Sequence, residues 1–328
     1  MRRPLAFAPL ALIAVAAAGC GGSSSDKPPA QPKATASKSA FPAAKGKTVD
    51  TLRAGLPEGP ILAPSTTSSL EVGRNRVGFA LFTPDKKFVT DAAVALYTTR
   101  HDGTGVRGPY VARLESLKVK PQFESQTTAS DPAAAKSVYV ADVPIPRAGK
   151  TVVTGVARIG GRMVRTSGFE LRIPAHPRGG PPDFGQRPPV IHTPTLSSVA
   201  GDARKIDTRV PPAPDLLKDD YAKVVGKKPV VITFATPLLC QSRVCGPVVD
   251  IVEQARAETS ADVAFIHQEI YNDNQVNKGF RPQVVAWHLP TEPWTFVVNK
   301  KGRVSARFEG AFSTGELERA IAKVTRKT

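Results

Sequence analysis

The chain has 328 residues, enough for about two domains, with 45 Lys and Arg against 28 Asp and Glu and a formal net charge of +17. Hydrophobic residues make up 41%, which excludes wholesale disorder, and three cysteines are too few for a disulfide-built scaffold or a four-cysteine zinc site. The basic residues are spread along the chain rather than clustered, so the charge does not indicate a nucleic-acid interface.

Residues 1–19 have the composition of an export signal. Arg2 and Arg3 precede an apolar stretch that Pro9 interrupts, and Cys20 follows directly. This order of charged, apolar and small-residue regions is typical of a secretory signal peptide, and the stretch is shorter than the roughly 20 residues of a spanning helix. Residues 17–20, Ala-Ala-Gly-Cys, resemble the lipobox of bacterial lipoproteins. The resemblance implies lipidation of Cys20 and a lipid-anchored protein on the extracytoplasmic face of the cell membrane; the alternative is an ordinary secretory signal.

Three segments of different composition follow. Residues 20–64 are rich in Ser, Ala, Pro and Lys, which predicts a disordered tether. Residues 65–175 contain six or seven short apolar runs separated by turn signals, a pattern that favours an antiparallel β-sandwich of immunoglobulin-like type. Residues 176–214 are rich in proline and predict a linker between two domains.

Residues 215–328 have the pattern of an α/β domain. A continuous apolar run over residues 230–234 predicts a buried strand, and apolar residues between positions 248 and 255 share one face of a helix. Further strands are predicted over residues 261–270, 295–298 and 304–308. Ser313 and Glu316 are spaced as the capping box of a last helix. Cys240 and Cys245 lie between the first strand and the first helix.

This last region resembles the thioredoxin-fold superfamily, in its thioredoxin- or TlpA-like form. The resemblance rests on the first strand, on Cys240 and Cys245 ahead of a helix, and on Glu292-Pro293 ahead of a hairpin. With the sandwich predicted from the preceding pattern, the expected fold class is an immunoglobulin-like sandwich followed by an α/β thioredoxin-like domain. The resemblance also implies a cis Pro293 that docks substrate, with Glu292 as a second substrate contact. The site departs from the family pattern, because four residues separate the cysteines instead of two.

The two cysteines predict thiol–disulfide exchange on exported proteins, with an unidentified redox partner. A thiolate attacks in such reactions and a second thiol resolves the mixed disulfide. Cys240, upstream of the helix, is the predicted nucleophile, and Cys245 resolves. Because residues five apart point to different faces of a helix, a disulfide between them requires Cys240 to lie in a loop. No Gly-rich phosphate loop follows a strand, so no organic cofactor is expected, and no metal is assigned.

Three alternatives remain open. A surface-tethered binding protein would use the Cys240–Cys245 disulfide only for stability. One subgroup of peroxiredoxins has the same cysteine spacing, although Pro237 occupies the place of that family's Thr or Ser. A thioredoxin-fold copper chaperone would add an imidazole, from His288 or His267, to the two thiolates.

Overall fold

The computed structural model describes residues 29–175, 179–240 and 242–326, which form three four-stranded β-sheets. The first two sheets are built from strands β1 to β8, namely Ile61–Pro64, Gly73–Phe82, Ala93–Arg100, Arg107–Val111, Arg113–Ser116, Ser137–Ile145, Gly149–Ile159 and Arg162–Ile173. The third is built from β9 to β12, namely Val230–Phe234, Ala264–Gln268, Trp294–Val298 and Val304–Glu309. Helices α1 to α6 are Val49–Arg53, Gln126–Ala129, Tyr221–Val224, Cys245–Glu258, Pro282–Ala286 and Thr314–Thr325.

Short 3-10 helices complete the regular structure of the described residues. They are Lys38–Ala40, Pro121–Phe123, Leu196–Val199, Ala203–Lys205, Pro214–Leu216, Asn272–Asn274 and Val276–Lys278.

The first two sheets are antiparallel and pack face to face. Their strand orders are β1-β2-β6-β5 and β4-β3-β7-β8. Alternate residues of each strand point into the shared core, where Phe79 and Tyr139 of one sheet meet Leu96 and Val153 of the other. Gly160-Gly161 turns β7 into β8 with both residues at positive φ, as a two-residue hairpin of this twist requires.

The third sheet has the order β10-β9-β11-β12, with β9 parallel to β10 and antiparallel to β11. The central strands are apolar along their whole length because both faces are covered. Helices α4 and α6 cover one face, and the single-turn helices α3 and α5 cover the other, around an aromatic cluster that includes Trp287 and Phe296.

The two halves of the chain share one hydrophobic core. Leu117, Val138 and Val140, on the outer face of the first sheet, pack in the same cluster as Val248 and other residues of α4 and α6. Polar contacts reinforce this interface. The Glu309 carboxylate at the end of β12, for example, accepts hydrogen bonds from backbone N–H groups of the loop after β1.

The predicted fold class, a sandwich followed by an α/β thioredoxin-like domain, is corrected. Regular structure in the described residues is mostly β, in three sheets, and helices are few: only α4 and α6 are longer than five residues. The face of the third sheet opposite to them is covered largely by irregular chain and single turns, and the chain is not assigned to the thioredoxin fold.

Two segments that composition predicts as tether and linker make ordered contacts instead. Phe41, Ala44 and Leu52 are buried against the second sheet, and Asp207 and Arg209 are buried beside α4. Composition misses this because a few apolar side chains in each segment suffice to cover a sheet face that is already formed. The domain boundaries themselves stay a prediction.

Among the residues that the structure describes, no helix has the length and apolar character to cross a membrane. The predicted signal peptide, residues 1–19, and the predicted lipidation site, Cys20, lie outside the described residues.

Candidate functional site

Cys240 and Cys245 form a disulfide with a Cα–Cα distance of 5.9 Å. Cys240 lies in the loop after β9, as the spacing requires, and Cys245 is the first residue of α4. Cys240 is partly exposed, whereas Cys245 is 0% exposed. The two sulfurs therefore differ in access: only Cys240 can be reached by an attacking group from solvent.

Hydrogen bonds shape the loop around Cys240. Strand β9 ends at Phe234, and the Leu239 N–H donates to the Thr236 carbonyl to close a tight turn. The Leu238 N–H donates to the Thr208 hydroxyl, which fixes the turn to the neighbouring segment. The Ser242 hydroxyl lies 3.2 Å from the Cys240 sulfur and donates to it, because a disulfide sulfur has no proton to give.

Helix α4 is held in place by its buried Asp250. This carboxylate accepts hydrogen bonds from the Ser125 backbone and hydroxyl, at 3.2 and 3.1 Å, and forms an ion pair of 2.8 Å with Arg209. Gly246, next to Cys245, lets α2 approach the start of the helix, since a Cβ there would lie 2.7 Å from the Thr128 hydroxyl. The position of Cys245 thus depends on the first half of the chain.

A groove of about 760 Å³ leads to Cys240 and lies between the two halves of the chain. Two large apolar side chains are exposed in it, Leu238 at 64% and Val210 at 44%. Val210 is fixed by backbone and side-chain hydrogen bonds with α2. The remaining lining residues are Gln126, Thr127, Ser130, Asp131, Pro237, Leu239 and Arg243.

Glu292 lies against the disulfide. One carboxylate oxygen and the sulfurs of Cys240 and Cys245 all lie within 4.8 Å of one another. The Glu292–Pro293 peptide bond is cis, as the resemblance implies. Pro293 is buried, and its carbonyl accepts a hydrogen bond from Gly310 N–H at 2.9 Å. The structure thus places Glu292 beside both cysteines, while the docking roles of Glu292 and Pro293 stay predictions.

The Glu292 carboxyl is in an unfavourable environment for a charge. Its Oε2 is buried without a hydrogen-bond partner. Burial, and after it the charge of Glu269, raises the pKa of Glu292 to about 7. Near neutral pH this group therefore exists in both protonation states.

A second cluster of acidic and histidine side chains is fully buried and contains Asp207, His267 and Glu269. The His267 Nδ1 lies 3.4 Å from an Asp207 oxygen, and its Nε2–H donates to the Ala235 carbonyl at 3.0 Å. Burial alone lowers the pKa of His267, but the Asp207 charge outweighs it and raises the pKa to about 9. Glu269 accepts two hydrogen bonds of 2.7 Å from Thr208.

The histidines considered for a copper site are placed elsewhere. His267 belongs to the cluster with Asp207, and His288 is exposed just beyond α5. In the described residues the third potential ligand beside the two sulfurs is the Glu292 carboxylate. A soft thiolate pair with a carboxylate is not the donor set that the copper interpretation requires.

The groove residues from the first half of the chain are not predicted by the sequence. Asp131 pairs with Arg243 at 2.8 Å, and Thr127 holds Val210, yet each pair is separated by more than 80 residues. No local sequence pattern predicts such pairs, because the two residues of each pair do not belong to a common motif.

No family model and no curated protein matches the chain. Similar solved structures include the human F-spondin reeler domain (fragment 1), at 11% identity over 36% of this chain and 91% of that chain, with a TM-score of 0.19. They also include a DUF4784 family protein from Bacteroides caccae, at 11% identity over 40% of this chain and 28% of that chain, with a TM-score of 0.20. TM-scores this low establish neither family nor function.

The resemblance to the thioredoxin-fold superfamily is corrected. No family model supports it, and the regular structure of the described residues is predominantly β, in three sheets. What remains for a functional argument is the local geometry around Cys240 and Cys245.

Proposed function

We propose that this protein carries out thiol–disulfide exchange with cysteine-bearing polypeptides. The observation that carries the proposal is the asymmetry of the disulfide: Cys240 is partly exposed and faces the groove, and Cys245 is buried at the first turn of α4. A disulfide that only stabilises a loop needs no such difference in access.

The proposed reaction follows from this arrangement. A partner thiolate attacks the Cys240 sulfur, the Cys240–Cys245 bond breaks, and its electron pair leaves on the Cys245 sulfur. The unpaired N–H groups and dipole at the start of α4 favour negative charge on Cys245. In the opposite direction, the Cys240 thiolate attacks a partner disulfide and Cys245 resolves the mixed disulfide.

The groove suggests the class of partner. Leu238 and Val210 flank Cys240 and offer apolar surface beside the reacting sulfur. An extended polypeptide segment with an apolar side chain next to its cysteine fits this surface better than a small hydrophilic thiol. In this proposal Glu292, which lies beside both sulfurs, and the cis Pro293 that follows it contribute to substrate docking.

We also propose an extracytoplasmic location and exported proteins as partners. The signal-like composition of residues 1–19 and a formed disulfide both agree with an oxidising compartment. Cys20 is the proposed point of lipid attachment, and an unidentified redox partner would restore the starting state.

The test is the reduction potential of the Cys240–Cys245 couple, with trapping of a mixed disulfide. The full chain is equilibrated in thiol buffers, and a Cys245→Ala variant is offered a disulfide-linked peptide that carries a leucine beside its cysteine. We expect a potential well above about −300 mV and a stable mixed disulfide at Cys240. Cys240→Ser with Cys245 intact is the matched control and should trap nothing. A bond that resists thiol buffers, with no adduct at Cys240, would show that the disulfide is structural.

A further inference from the structure

Breaking the disulfide creates a charge at a buried atom. Cys245 is 0% exposed, so the thiolate that forms on it cannot take a proton directly from water. A buried thiolate is disfavoured unless a partner stabilises it or a nearby acid protonates it. The start of α4 stabilises part of this charge, and a proton donor close to the sulfur would remove it altogether.

Glu292 has the position that such a donor requires. Its carboxylate lies within 4.8 Å of both sulfurs, and its Oε2 is buried with no hydrogen-bond partner in the described residues. A carboxyl that is already satisfied by hydrogen bonds would resist a change of protonation state. This one has no such partner at Oε2 and can carry a proton there.

The groups that face Glu292 also favour its protonated form, so that its carboxyl can give up and take back a proton near neutral pH. Glu269 repels negative charge on Glu292, and burial acts in the same direction. Tyr271 is affected in turn, because its burial and the Glu292 charge both raise the pKa of its phenol. Among the described residues, Glu269, Tyr271 and the two sulfurs are the titratable groups tied to this carboxyl. No cation there lowers the pKa of Glu292 and holds it permanently ionised.

Other charged groups near the site are already engaged. Arg243 is paired with Asp131 at 2.8 Å, and His267 is held between Asp207 and the Ala235 carbonyl. Neither is free to deliver a proton to Cys245.

We propose that Glu292 is the general acid and base of the exchange reaction, a role that rests on the function proposed above. As the partner thiolate attacks Cys240, the sulfur–sulfur bond breaks and its electron pair passes to Cys245. The Glu292 carboxylic acid gives its proton to that sulfur and becomes a carboxylate. In the reverse reaction the carboxylate takes the proton back from the Cys245 thiol, and the thiolate attacks the Cys240 sulfur of the mixed disulfide.

The test compares the wild type with Glu292→Gln and Glu292→Asp. The rate of reduction by dithiothreitol is measured from about pH 5 to about pH 9 and divided by the thiolate concentration of the reagent. For the wild type we expect this corrected rate to fall as pH rises through about 7. Glu292→Gln should lose that inflection and react at least about tenfold more slowly below it, while Glu292→Asp should restore part of the rate.

Glu71→Gln is the matched control. Burial and the neighbouring Asp183 also raise the pKa of Glu71 to about 7, but Glu71 is not among the groups beside the cysteines. Its replacement should leave the rate profile unchanged. A second readout uses the reduced protein without any partner: the ultraviolet absorbance of the thiolates is titrated with pH, and Glu292→Gln should shift the midpoint for Cys245 downward because a nearby negative charge is removed.

Failure of the proposed exchange function and failure of the role assigned to Glu292 give different results. A wild type that dithiothreitol does not reduce would contradict the proposed function itself. A wild type that exchanges normally, with a Glu292→Gln variant of the same pH profile and the same thiol titration, would overturn the assignment of Glu292.

Discussion

Arg243 is fastened to Asp131 across the two halves of the chain. The guanidinium Nη1 lies 2.8 Å from the carboxylate, and the Arg243 carbonyl also accepts a hydrogen bond from Ala135 N–H at 3.1 Å. Arg243 lies between the two cysteines and has a φ of +60°. The conformation of the cysteine loop therefore depends on residues more than 100 positions earlier in the chain.

This pair predicts an effect on reactivity rather than on stability. Asp131→Asn leaves the Arg243 charge uncompensated in the groove that contains Cys240, so the Cys240 thiolate should be favoured in the reduced protein. We expect Cys240 to be alkylated by iodoacetamide roughly twofold to fourfold faster below neutral pH. The free energy of unfolding should fall by no more than about 1 kcal/mol, since the pair is partly exposed.

Arg243→Gln is the control for that experiment. It breaks the same ion pair but removes the positive charge, so alkylation should not accelerate. Equal acceleration in both variants would mean that loosening of the loop, and not charge, controls the reactivity of Cys240.

We expect a substitution of Glu309 to cause a large loss of stability. Its buried carboxylate accepts hydrogen bonds from the backbone N–H groups of Thr67, Ser68 and Ser69, at 2.9 to 3.1 Å. Glu309→Gln removes the charge and turns an amide donor toward other donors. We expect a decrease of about 2–4 kcal/mol in the free energy of unfolding, measured with urea.

Glu58→Gln provides a comparison for Glu309. Glu58 also forms an ion pair, with Arg165 at 2.8 Å, but its side chain is largely exposed. The expected change is within about 0.5 kcal/mol. Similar small effects at both positions would contradict the role assigned to Glu309.

Because of Glu316, we expect the folded protein to lose stability in acid. Burial alone raises the pKa of this carboxyl, but Arg76 and then Arg113 outweigh burial and hold the pKa below its ordinary value. The folded-state pKa is depressed, so this stabilisation is present above about pH 4.5 and is lost as the pH falls through the folded-state value. Urea unfolding at a series of acidic pH values should show this loss. Glu316→Gln should be less stable at neutral pH, and its free energy of unfolding should depend less on pH. An unchanged pH dependence in this variant would contradict the contribution assigned to Glu316.

For His267 we expect a contribution to stability that is lost as the pH rises. The Asp207 charge overcomes the effect of burial and raises the pKa of His267 to about 9 in the folded protein. A raised pKa contributes stability that is complete below about pH 6.5 and is lost as the pH rises through about 9. An NMR titration of the His267 ring should give a midpoint near that value. A His267 midpoint below about 7 would contradict the ion pair with Asp207.

Local signals in the sequence were reliable. The capping box of Ser313 and Glu316 is present at the start of α6, and the strands of the third sheet lie within a few residues of their predicted positions. These features depend on neighbours in the chain, which periodicity and spacing report directly. The requirement that Cys240 lie in a loop was likewise local and is confirmed.

Contacts between residues far apart in the chain cannot be predicted from local sequence patterns. The pair of Arg76 with Glu316, the contacts of Glu309 with residues 67–69 and the wall that α2 adds to the groove each join positions far apart in the chain. The buried neighbours that raise the pKa of Glu292 follow from the same tertiary packing. The thioredoxin resemblance supplied an expectation for Pro293 and Glu292 but not the environment that gives Glu292 its chemistry.

The shared core of the two halves limits how this site can be isolated. A fragment that contained only β9 to α6 would expose the faces of α4 and α6 that pack against Leu117, Val138 and Val140. It would also leave Asp250 without Ser125 and the cysteine loop without Asp131. In effect the first half of the chain acts as a permanently attached part of the disulfide site, so the cysteines are built at an internal interface and not in a separable unit.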